Sequence, residues 1–98
     1  MNGEIFNYKF KMKRFTEQDL IEISKNTEYS YAYARDVIKG RFPLGEEAIS
    51  KSAFYSYLYA IFIIHGRFHL GEKVIKKDID YNLLYNKFIA SCKNVKKK

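Results

Sequence analysis

The 98-residue chain carries 18 Lys and Arg against 11 Asp and Glu, a formal net charge of +7, with 17% aromatic residues and a single cysteine. One cysteine excludes an internal disulfide framework, no apolar run reaches the roughly 20 residues of a membrane span, and the Met1 end has no signal-peptide apolar region. The expectation is one small soluble domain in a reducing cytoplasm.

Residues 1–14 form the first predicted element. Phe6, Tyr8, Phe10 and Met12 alternate with Asn7, Lys9, Lys11 and Lys13, and a period of two argues for a strand-like or extended arm. No later segment offers that arm a strand partner. It lies extended on the chain's own helices, stays loose, or pairs with the same segment of a second copy, and the last predicts a homodimer through residues 5–13.

Residues 15–92 read as helices. Thr16 with Asp19 three residues on is a capping-box variant, opening a short first helix. Asn26, Ser52 and Asp78 then recur every 26 residues, and all three side-chain types satisfy free amides of a first helical turn. Each precedes a Tyr-rich apolar stretch, over 28–39, 53–65 and 79–94. Gly40 and Gly66 are expected to end the first two stretches in the left-handed conformation. Cys92 stands at that place in the third, so its helix runs on into the lysines. A second, shorter helix is predicted over 44–51 and 70–77, with Pro43 suited to its first position.

The regular caps reflect an internal repeat: residues 30–55 return as 56–81, with 14 identities in 26 positions. The predicted fold is therefore all-α, a short αα-hairpin repeat array of about six helices. Units at about 26–51 and 52–77 are flanked by end caps, an arm precedes them, and a lysine-rich tail occupies 93–98. Such arrays form binding surfaces more often than active sites. No nucleophile–base arrangement, glycine-rich phosphate loop or paired-carboxylate motif is present, so neither enzymatic activity nor a cofactor is expected.

The charge is unevenly placed. Residues 1–14 hold Lys9, Lys11, Lys13 and Arg14 against Glu4, residues 93–98 hold Lys93, Lys96, Lys97 and Lys98, and residues 15–92 carry ten basic and ten acidic side chains. Basic ends attract phosphate without sequence preference, or serve only as solubilising tails. Gly-Arg-Phe recurs at 40–42 and 66–68, followed by Gly-Glu at 45–46 and 71–72. Arg41 and Arg67 can pair with Glu46 and Glu72 and lock the turn, with Phe42 and Phe68 plugging the gap between helices. If those glutamates point elsewhere, the two arginines can grip phosphates, completing a nucleic-acid site with the terminal lysines.

The copies differ at Arg35-Asp36, which becomes Ile61-Phe62 and then Lys87-Phe88. Ile61 and Phe62 are either covered, as suits a central helix, or exposed as a contact patch that joins Phe88 and the basic arm. Tyr29, Tyr33, Tyr55, Tyr59, Tyr81 and Tyr85 fall at periodic positions, which predicts inter-helix packing with hydroxyls at the rim. His65 and His69 have ligand-like spacing, but Gly66 breaks the helix between them and no third donor stands near, so no metal site is expected. Cys92 reads as a half-buried helix residue.

The segment Tyr33-Ala34-Arg35-Asp36-Val37-Ile38-Lys39-Gly40-Arg41-Phe42-Pro43-Leu44-Gly45-Glu46-Glu47-Ala48-Ile49 resembles a tandem repeat of bacteriophage and bacterial proteins. That unit has the pattern YA-x-x-V-I-x-G-R-(F/W)-P-x-G-E-x-x-I, and most proteins carrying it have no assigned function. The likeness covers roughly residues 20–90 and departs from the pattern at Ile61, Phe62 and His69. It implies a helical-repeat fold and a phage or mobile-element origin. In that context the expected function is non-enzymatic: stoichiometric binding that blocks or redirects a host protein or nucleoprotein, of the anti-defence or anti-CRISPR kind. Basic nucleic-acid binding and structural self-assembly are the alternatives.

Overall fold

The structure is a computed structural model that describes residues 14–96, with side chains through Cys92. Among these residues all regular structure is helical: α1 (Glu17–Ser24), α2 (Thr27–Tyr33), α3 (Glu46–Ile49), α4 (Ala53–Leu58), α5 (Glu72–Lys76) and α6 (Ile79–Lys96). No helix among them is long and apolar enough to cross a membrane. The strand-like arm, its homodimer contact through residues 5–13, and Lys9, Lys11 and Lys13 lie outside the described residues. So do Lys97, Lys98 and the side chains of Lys93 and Lys96, whose backbone closes α6.

Local chemistry starts α1, α2, α4 and α6 where expected. Thr16 accepts from the Asp19 amide at 3.1 Å while Asp19 Oδ2 accepts from the Thr16 amide at 2.9 Å, a reciprocal box. Asn26, Ser52 and Asp78 each accept from the amide three residues on, at 2.8, 3.1 and 3.0 Å. Each cap contributes about 1 kcal/mol.

The helix ends depart from expectation. α2 and α4 do not stop as α-helices but widen into π-helical turns at Ala34–Ile38 and Tyr59–Ile64. The residues with positive φ are then Lys39 (59°) and His65 (60°), one place before Gly40 and Gly66. The π turn explains the shift. Ala34 and Ala60 carbonyls accept from the left-handed residue and also from the following glycine amide at 3.1 Å, so the chain reverses one residue early. A left-handed non-glycine costs on the order of 1 kcal/mol, which Lys39 and His65 bear more easily than a β-branched residue.

The expected second helices also start differently. Pro43–Gly45 and His69–Gly71 are 3₁₀ turns, and the α-helical part begins at Glu46 and Glu72. Gly45 and Gly71 are the crowded glycines: a Cβ on either would stand 2.5 Å from the hydroxyl of Ser30 or Ser56 and 2.7 Å from the ring of Phe42 or Phe68. Those serines are buried and donate back to the last carbonyls of the preceding short helix, Ser30 to Ile23 at 2.8 Å and Ser56 to Ile49 at 3.1 Å. Serine and glycine thus let turn and helix touch backbone to backbone.

Two layers result. The long helices α2, α4 and α6 lie side by side, and α1, α3 and α5 pack across them. Ile23, Ile49 and Ile75, one per short helix, are fully buried between the layers, with Phe42 and Phe68 plugging the turns. Each such side chain contributes roughly 1.5–3 kcal/mol of transfer free energy.

Candidate partner-binding surface

Two matching polar clamps hold the turns. Arg41 Nε and Nη2 donate to Glu46 at 2.8 and 3.0 Å, and Arg67 meets Glu72 at 2.8 and 2.9 Å. The same carboxylates accept from Tyr59 and Tyr85 hydroxyls at 2.7 and 2.6 Å. Those hydroxyls in turn accept from the buried amides of Phe42 and Phe68 at 2.8 and 3.1 Å. The expectation of hydroxyls at the rim fails for Tyr59 and Tyr85, which are 0% and 4% exposed. The reason is a partner 13 residues away in sequence, which draws the phenol inward.

The electrostatics follow from this geometry. Burial works to raise the Glu46 carboxyl, but its bonds to Arg41 and Tyr59 outweigh that and hold it below the usual carboxylate range. At Glu72 the Arg67 hydrogen bonds dominate and pull the carboxyl down to about 2. Burial, reinforced by the Glu72 carboxylate, pushes the Tyr85 phenol up to about 12. Burial raises Tyr59 in the same direction. The condition that the glutamates point elsewhere is therefore not met: the Nε and Nη2 edge of each guanidinium is bonded to Glu46 or Glu72.

The outer face of the central helix is different. Phe62 is 58% exposed and Phe54, two turns earlier, is 42% exposed. The idea that a central helix covers its apolar residues fails at Phe62, because the covering neighbours pack against the sides of α4 and not its outer face. Phe88, the counterpart of Phe62 in α6, instead packs half-buried against the core. Phe62 and Phe88 are thus not parts of one open patch. Arg14 is exposed.

Phe54 and Leu58 form one wall of a groove of about 270 Å³, with Glu28, Tyr31 and Arg35 of α2 and its π turn on the other. Arg35 donates twice to Asp36, at 2.7 and 2.8 Å, and lies 5.5 Å above the Tyr31 ring. The groove thus joins apolar surface to a cation fixed over a ring, a seat for an aromatic or aliphatic side chain of a partner. Phe54 was not singled out in the sequence reading, although the signal was there. Its counterparts are Glu28 and Asp80, so this position is charged in both flanking copies and aromatic in the middle one.

His65 caps its π turn and His69 lies in the next 3₁₀ turn, with Nδ1 3.9 Å from Glu72. Cys92 is half-buried, its sulfur 4.0 Å from the His65 carbonyl. No group of three or more His, Cys, Asp or Glu among the described residues could hold a metal ion. Comparison with protein-family models, curated proteins and solved structures matches nothing to this chain.

Proposed function

We propose that the protein acts without catalysis, by stoichiometric docking of the outer face of α4 and its π turn on a host protein or nucleoprotein. The observation that carries this reading is the exposure of Phe54 and Phe62 on a helix with neighbours on both sides. An end effect cannot account for rings this exposed there, and the counterparts are Glu28 and Asp80 for Phe54, and Asp36 and the half-buried Phe88 for Phe62. π turns are enriched at functional sites, and Phe62 stands in one. The resemblance to phage repeat units supports a host target, with Arg14 and the basic arm extending the contact by charge.

The test is Phe62→Asp. It abolishes capture of the partner from host extract and leaves the far-UV CD spectrum and thermal midpoint unchanged. Undiminished capture, or loss of folding, would sink the proposal. The nucleic-acid alternative rests on the charge excess in residues 1–14 and 93–98. It is separated by titrating labelled RNA and duplex DNA at about 50 and 200 mM salt, where phosphate binding through lysines weakens steeply.

A further inference from the structure

Among the described residues α6 is the last of the long helices, and its outward face is exposed. Within the row each helix presents a tyrosine to its successor: Tyr31 to Tyr55 and Tyr57 to Tyr81, each pair of rings at 5.6 Å. The next counterpart in sequence is Leu83, which meets no further helix among the described residues and is 56% exposed, with Ile79 and Leu84 beside it at 87% and 43%. A hollow of about 310 Å³ between Arg67 and the Asn86–Ala90 turn adjoins this face. The other end of the row is already engaged. Phe15 packs edge-on against Tyr33 at 5.0 Å, and Tyr29, the counterpart of Tyr55 and Tyr81, is half-buried against the core. Among the described residues the row is therefore engaged at its first end and open at α6.

We propose that α6 is the interface with a second copy of this chain, the two helices running antiparallel across a two-fold axis between Leu83 and Leu84. One-sided openness selects a closed dimer, because a head-to-tail filament needs both ends free. The pairing continues the surface on which the long helices already stack. It also matches charge: Leu83 meets Leu84 of the partner subunit, and Asp80 meets Lys87 of the partner subunit, on both sides of the axis. Asp80 and Lys87 are exposed, and neither is in an ion pair among the described residues. Asn86 and Lys87 stand where the π turn after α4 has Ala60 and Ile61, which gives the face the mixed composition of a separable dimer.

The experiment is the solution mass of the full chain by sedimentation across a concentration series, with three variants of exposed residues. The wild type reaches the dimer mass. Leu83→Glu weakens the dimer roughly tenfold or more by placing charge on the axis. Asp80→Lys weakens it through like charges, and adding Lys87→Asp to that variant restores it. Far-UV CD stays the same in all three. A monomer at every concentration, a dimer indifferent to Leu83→Glu, or failure of the charge swap to recover the dimer each overturns the proposal.

Discussion

Tyr59→Phe removes one oxygen atom and breaks two bonds. The Phe42 amide, 2.8 Å from that hydroxyl, loses its acceptor at a buried site, and Glu46 loses a donor at 2.7 Å. An unpaired buried amide costs about 1–3 kcal/mol, and a hydrogen bond to a charged group is worth about 1.5–3 kcal/mol. These do not add in full, since Arg41 remains on the carboxylate. The expected loss is about 2–4 kcal/mol, a large share of the roughly 5–15 kcal/mol that holds a small domain together. At about 4–8 °C per kcal/mol, the thermal midpoint falls by roughly 8–32 °C. Urea unfolding followed by far-UV CD measures the loss, and Tyr85→Phe repeats it in the second clamp. Combining Tyr59→Phe with Glu46→Gln isolates the coupling, expected in the range of about 0.5–3 kcal/mol. A loss below about 0.5 kcal/mol, within the range of ordinary surface substitutions, would mean that the hydroxyl is dispensable and that ring packing alone holds the turn.

Two further outcomes follow from the same geometry. Gly45→Ala drives a Cβ to 2.5 Å from Ser30 Oγ and 2.7 Å from the Phe42 ring, at a cost of about 1–3 kcal/mol; Gly40→Ala, whose Cβ meets only Ile38 at 3.8 Å, stays within about 0.5 kcal/mol. Equal losses in urea midpoint for the two would refute this assignment of the crowded glycine. The folded-state Glu72 carboxyl sits at about 2, below its unfolded value of about 4.3, so its stabilisation is complete above about pH 5 and is lost as pH falls toward 2. The urea midpoint should drop across that window, and less steeply in Glu72→Gln; parallel pH profiles would place the acid sensitivity elsewhere.

What could be read in the sequence was local. Thr16, Asn26, Ser52 and Asp78 bond amides three residues on, so residue type and spacing suffice to place them. The plugs Phe42 and Phe68 follow from an apolar residue held between two helical stretches. The misses are tertiary. Gly45 is indispensable because Ser30, fifteen places earlier, approaches it, whereas Gly40 only looked like a cap. The left-handed role passed to Lys39 and His65 because π turns shift the reversal, and nothing in local propensity marks a π turn. Tyr59 was placed at the rim because its acceptor Glu46 belongs to the preceding turn.

The distribution of identity between the two copies tells architecture from function. Ser30/Ser56, Arg41/Arg67, Phe42/Phe68, Gly45/Gly71, Glu46/Glu72 and Ile49/Ile75 are identical, and every one is a buried plug, a close approach or an arm of a clamp. Leu44 and Leu70, 59% and 56% exposed, and the exposed Lys51 and Lys77 are identical without such a role. The outer positions 28, 54 and 80, and 36 and 62, change freely between charge and aromatic ring. A clamp that fixes each turn through its own side chains makes no demand on the outward residues of the neighbouring long helix. Those residues can therefore diverge without loss of fold. The divergence that produces Phe54 and Phe62 on α4 and its π turn is where a partner would be recognised, and the divergence that leaves Leu83 and Lys87 on α6 is where a second copy would.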